Sequence, residues 1–136
     1  MTDNLCSAEF EFPEPPERIP DWADREAAVW RGKCNFDLEL QAESASGYRV
    51  EIRRVDLPEG VWGFRVARGD RARLCVNGRL PGIWQRFALF HELYHLISHT
   101  EGEHFWRRTL HPLSRFESEA DLFAWAALWP ELGEWE

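Results

Sequence analysis

The feature that most constrains this chain is an apolar run with three chemically active side chains set inside it. Phe87-Ala88-Leu89-Phe90-His91-Glu92-Leu93-Tyr94-His95-Leu96-Ile97 holds no proline or glycine, so nothing in it breaks a helix. The pattern predicts a helix from about Ile83 to His99. Residues four apart share a helical face, so His91 and His95 can aim both imidazoles at one point. On a wheel of about 100° per residue Glu92 flanks that point rather than facing away from it. An imidazole and a carboxylate among Phe90, Leu89 and Leu93 are costly to bury unless something pairs them. HExxH on a helix is a zinc pattern: two rings hold the ion, and the glutamate is placed to take a proton from a water. Chance would put it somewhere in roughly one such chain in fifty, and rarely on an unbroken apolar helix.

A catalytic zinc wants a third protein ligand. His99 lies two turns beyond His91, about 12 Å along the axis, too far to share its ion. A last helix is expected from a Ser114 cap to about Trp129, where Pro130 stops it. It carries Glu117 and Asp121 four apart, on a face shared with Ala124 and Leu128. Glu119 points about 200° away from Glu117, so the two cannot bind one ion. We read Glu117 as the third ligand and Asp121 as the acceptor for an imidazole N–H behind the first ligand.

The rest of the chain supplies a scaffold. Pro13, Pro15, Pro16 and Pro20, set among acids, make residues 1–20 an extended arm ahead of a single domain over 21–136. A first helix is expected from Asp21 to about Lys33, with Ala23, Ala27, Val29 and Trp30 inward. Residues 34–47 are ambiguous, and Ser44-Ala45-Ser46-Gly47 reads as a loop. Tyr48–Arg53 alternates as a half-buried strand does, and Trp62–Arg68 and Arg71–Val76 flank a tight Gly69-Asp70 turn. Gly102 and Pro112 fall in a connector. The order predicts an α+β fold: a small antiparallel sheet packed on helices, including the HExxH helix and a C-terminal helix with the third ligand.

Charge and cysteine usage narrow the partners. The net charge of −8 argues against gripping a nucleic-acid backbone. Residues 49–86 nevertheless carry nine arginines against four acids, which could form a basic stripe but read first as a solvated sheet face. Cys6, Cys34 and Cys75 are scattered and odd in number, as expected of reduced thiols, and the first residues have no export signal, so the expected location is cytoplasmic. No stretch approaches a membrane span.

Arg86-Phe87-Ala88-Leu89-Phe90-His91-Glu92-Leu93-Tyr94-His95-Leu96-Ile97, then Glu117-Ser118-Glu119-Ala120-Asp121-Leu122-Phe123-Ala124, closing on Leu128-Trp129-Pro130, resembles the ImmA/IrrE family of metallopeptidases. The resemblance covers about residues 48–130, with two motifs in order and at matching spacing. It implies one zinc on His91, His95 and Glu117 with Glu92 as general base, in a thermolysin-like arrangement. It also implies that Leu74, Cys75, Val76 and Asn77 form a strand edge along which an extended substrate adds a strand. Members typically cut a helix-turn-helix repressor and so release stress-response or mobile-element genes; the same partner class is implied here. Tyr94 departs from the small residue many members carry, and the arm has no counterpart. His104, His111, Tyr48 or an arginine of the middle segment could stabilise a developing oxyanion, although each reads first as an ordinary loop or sheet residue. A competing class is a non-catalytic zinc-containing interaction partner, toxin- or antitoxin-like. Glu92 separates the two, because a purely structural site has no use for a base. A third is a metal-dependent hydrolase of a non-peptide bond.

Overall fold

The computed structural model describes residues 13–58, 60–98, 103–107 and 115–132. The fold is α+β. Its elements are α1 (Asp21–Ala27), a 3-10 turn (Ala28–Trp30), α2 (Asn35–Ser46), β1 (Arg49–Val55), β2 (Val61–Arg68), β3 (Arg71–Asn77), α3 (Gly82–Ser98), β4 (Glu103–Arg107) and α4 (Arg115–Leu132). None of the described helices is long and apolar enough to cross a membrane.

The first helix is shorter than expected because the chain tightens into the 3-10 turn. Adjacent residues on such a turn diverge by about 120°, so Trp30 turns inward while Val29, expected in the core, stays out. Residues 34–47, ambiguous in sequence, form α2. Only Leu38 and Ala42 of it are buried, while Phe36 and Leu40 are exposed, which is why no clear apolar period marks it. The expected Ser44–Gly47 loop is helical as far as Ser46. The Ser46 hydroxyl donates to the Ala42 carbonyl at 2.7 Å, and Gly47, at φ 82°, closes the end through a 2.9 Å bond to Glu43.

The four strands lie in the order β1-β3-β2-β4, so the sheet is mixed rather than antiparallel throughout. The β1–β2 and β2–β3 connections each reverse the chain, and β1 therefore runs the same way as β3. Because β1 lies beside β3 and not beside β2, that one pair is parallel, with Ile52 opposite Leu74. Gly69, at φ 59°, makes the β2–β3 turn. Val50, Ala72, Leu74 and Val76 are buried on the helix side. Strand β4, expected to be part of a connector, pairs antiparallel with β2.

This order overturns the expected substrate edge. Leu74, Cys75, Val76 and Asn77 lie in β3, which has β1 on one side and β2 on the other; all four are buried and no flank is free. Asn77 instead ties loops together. Its amide donates to the Val61 carbonyl at 2.8 Å, and its oxygen accepts from the Arg79 backbone at 3.0 Å. The edges of the sheet are β1 and β4. Along β1, the Val50 and Ile52 amides donate to Glu43 and Glu39 of α2 at 3.0 and 2.8 Å, so side chains occupy that edge.

Helices α3 and α4 pack antiparallel with their contacts stepping one turn at a time. Phe87 meets Trp125 at 5.1 Å between ring centres, His91 meets Asp121 at 2.9 Å, and His95 meets Glu117 at 3.2 Å. Each four-residue step along α3 is matched by four residues back along α4. A second row pairs Tyr94 with Phe123 and Arg86 with Glu131. Trp84, Phe87, Trp125 and the fully buried Trp62 meet edge-to-face, anchoring both helices to β2.

Pro130 was expected to stop α4, yet the helix runs to Leu132. A proline inside a helix frees the carbonyl four residues earlier. Here that carbonyl belongs to Ala126, and it accepts from Arg31 Nε at 2.9 Å. Beyond the proline, Glu131 is held by two contacts to Arg86, at 3.2 and 2.7 Å. Arg31→Ala should therefore destabilise the protein by about 1–2 kcal/mol, the value of a half-buried bond to a charged donor. In a Pro130→Ala background the helix regains its own donor, and urea titrations of the four proteins should show a smaller Arg31→Ala effect.

Candidate active site

Helix α3 carries its reactive side chains on the face turned toward β2 and α4. His91, Glu92 and His95 are almost wholly buried. The two imidazoles lie 4.9 Å apart between ring centres, as the four-residue spacing requires. Glu117 reaches between them from α4, with Oε1 2.7 Å from His91 Nε2 and 3.2 Å from His95 Nε2. One turn along α4, Asp121 accepts from His91 Nδ1 at 2.9 Å.

This arrangement can be tested as a metal site from its own chemistry. With Nδ1–H donating to Asp121, a neutral His91 presents the bare lone pair of Nε2 to the Glu117 carboxylate, which also bears only lone pairs. His95 Nε2 converges on the same oxygen. Such a set is stable only with a cation at its centre, a proton or a metal ion. Potential ligand atoms of His91, His95 and Glu117 all lie within 4.8 Å of one another, and two nitrogens with one carboxylate oxygen suit a divalent ion such as zinc. The residues fit the group.

Protonation follows the same geometry. Burial pushes the His91 value down, but the bonds to Asp121 and Glu117 outweigh it and the net shift is upward. Burial dominates at His95 and lowers it to about 4. Glu117 is held well below the usual carboxylate range: burial acts against this, but its bonds to the two histidines prevail. Glu92 is shifted upward by burial, opposed by His91 and Arg65.

Strand β2 forms the floor under Glu92. Arg65, itself buried, places Nη1 3.0 Å from Glu92 Oε1. Two residues earlier, Gly63 passes so close that a Cβ there would lie 2.8 Å from the Cys75 carbonyl oxygen and 3.4 Å from Glu92 Cγ. Neither residue was singled out from the sequence. Arg65 was one of nine arginines in the middle segment, and the only signal was its place in an otherwise apolar stretch of β2.

Among the remaining candidates, Tyr48 stands just ahead of β1 at the Arg49–Arg71 end of the sheet, whereas Glu92 meets the sheet at the level of Gly63 and Val76. The intervening strand length is roughly 20 Å, beyond a phenol's reach, so Tyr48 is not a contact of this site. The His104 backbone pairs with Arg65 in the sheet; its side chain, and all of His111, lie outside the described residues. Tyr94 packs against Phe123 and Trp22, in the row beside the histidines, as core.

A protein-family model described as Peptidase_M78, the IrrE N-terminal-like domain, matches residues 38–132. No match was found among curated proteins or solved structures.

Two outcomes follow from the cluster. His91→Ala, His95→Ala and Glu117→Ala should each weaken metal binding about tenfold or more, while Glu119→Ala leaves it unchanged, as measured by competition with a chromogenic chelator. In the metal-free protein, the depressed His95 value means that its neutral form stabilises the fold above pH 6.5 and that this contribution is lost as pH falls toward 4. The contribution of His91, shifted upward, is already complete below 6.5. Between pH 6.5 and 4 the wild type should therefore lose stability relative to His95→Gln in urea titrations at stepped pH.

Proposed function

Because the chain belongs to the IrrE N-terminal-like family of metallopeptidases, we propose that it is a zinc-dependent endopeptidase of narrow specificity that cuts a helix-turn-helix repressor or a similar regulatory protein. The observation that carries this reading is the joint placement of His91, His95 and Glu117 with the buried carboxylate of Glu92 beside them. When bound by those three side chains, zinc supplies Lewis acidity to the scissile carbonyl.

The remaining chemistry belongs to the chain. Glu92 has one oxygen held by Arg65, while Oε2 is buried and has no hydrogen-bond partner. That oxygen is the acceptor for the proton of the attacking water, and it returns the proton to the departing amine. Asp121 fixes the ring of His91 by taking its Nδ1 proton. A site built only for structure gains nothing from a buried carboxylate at Glu92, and this favours the enzyme over the non-catalytic partner.

The substrate class rests on the family and on charge. An acidic protein lacks the positive field that supplies non-specific affinity for DNA, so its target is a protein. With β3 enclosed and β1 occupied by α2, an extended segment would add along β4. A linker or loop beside a folded domain supplies such a segment. The nine arginines of residues 49–86, against four acids, would steer an acidic stretch of the partner toward the sheet.

The expected result with the repressor encoded nearest the gene is a single cut in a linker or loop, mapped by mass spectrometry and slowed as salt rises. Glu92→Gln should retain the metal and lose about 10²–10⁴ in rate. An uncut repressor that co-purifies with the protein in the presence of several divalent metals would transfer the reading to the non-catalytic partner.

A further inference from the structure

Helix α3 displays Glu92, but the contacts that fix where its carboxylate points come from β2. Arg65 is the one buried arginine among the described residues, with its side chain 7% exposed and that of Glu92 fully enclosed. The pair is joined by a single contact, Nη1 to Oε1 at 3.0 Å, between partners 27 positions apart in the chain. Two polar atoms of the pair have no hydrogen-bond partner, Glu92 Oε2 and Arg65 Nε, and both are buried. Gly63 completes the arrangement. A Cβ at that position would sit 3.6 Å from Glu92 Oε2, so its absence leaves space beside the unbonded oxygen.

A buried arginine is an expensive way to hold a fold together. Its desolvation offsets most of the attraction to its partner, and an apolar residue of similar size commonly serves stability as well. The contact does give Glu92 two unlike oxygens, one charge-bonded and one open. We propose that Arg65 is a positioning residue for Glu92: it fixes Oε1 so that Oε2 is the oxygen presented for proton transfer. This rests on the peptidase reading for its catalytic consequence, but the coupling of the two side chains does not. Because one contact joins them, a lysine at position 65 keeps the charge and part of the hold, whereas methionine keeps only the bulk.

The test has two arms. In cleavage assays at equal metal content, Arg65→Met should lower kcat about 10²-fold while KM stays within about threefold, because a misplaced base affects the transition state and not substrate binding. Arg65→Lys should recover about tenfold of that loss. A fall confined to KM, or a kcat equal to wild type, overturns the proposal. The second arm is a thermal cycle on the metal-free protein. Arg65→Met should lower Tm by about 5 °C or more when Glu92 is present, since it strands a buried carboxylate, and by less than half as much in Glu92→Gln. Equal shifts in the two backgrounds overturn the proposal whatever the activity shows. A wild type that cuts no repressor removes the peptidase reading and leaves the cycle to decide the pairing.

Discussion

The antiparallel packing of α3 against α4 is the constraint on which the rest of the molecule depends. The aromatic contact between Phe87 and Trp125 and the polar contacts of His91 and His95 belong to one series with a one-turn step. A slip of either helix by a residue would rotate Glu117 and Asp121 off the histidine face by about 100°. The edge-to-face cluster of Trp62, Trp84, Phe87 and Trp125 makes such a slip costly, because interlocked rings have few alternative packings. The core thus sets the distance between ligands that lie on separate elements.

That coupling explains why the site was legible from so few residues. A helical period of 3.6 fixes which side chains can converge, and it did so twice, for His91 with His95 and for Glu117 with Asp121. Both pairs come together with the polar contacts that the spacing suggests. The exclusion of Glu119 used the same period, and the ligand atoms that converge are those of His91, His95 and Glu117. Within one element, sequence distance translates directly into spatial distance.

Across elements it does not, and there the reading from sequence ran out. Strand pairing is chosen by tertiary packing, so nothing in Leu74–Asn77 announces that β1 covers its second flank. Helix α2 escaped because two buried residues in twelve leave no visible stripe. Pro130 misled because its penalty is relieved by Arg31, which lies 95 residues from the carbonyl it serves. Arg65 was hidden for a similar reason. An arginine in a strand reads as surface, and only its partner on α3 accounts for its burial.

The acids of α2 that bond the backbone of β1 have a consequence in the order of synthesis. Helix α2 precedes β1 in the chain, so Glu39 and Glu43 leave the ribosome before Val50 and Ile52. The nascent strand meets its side-chain acceptors at once, whereas its sheet partner β3 follows some twenty residues later. During that interval one row of amide donors on β1 already has acceptors and is less available to a neighbouring nascent chain on the same message.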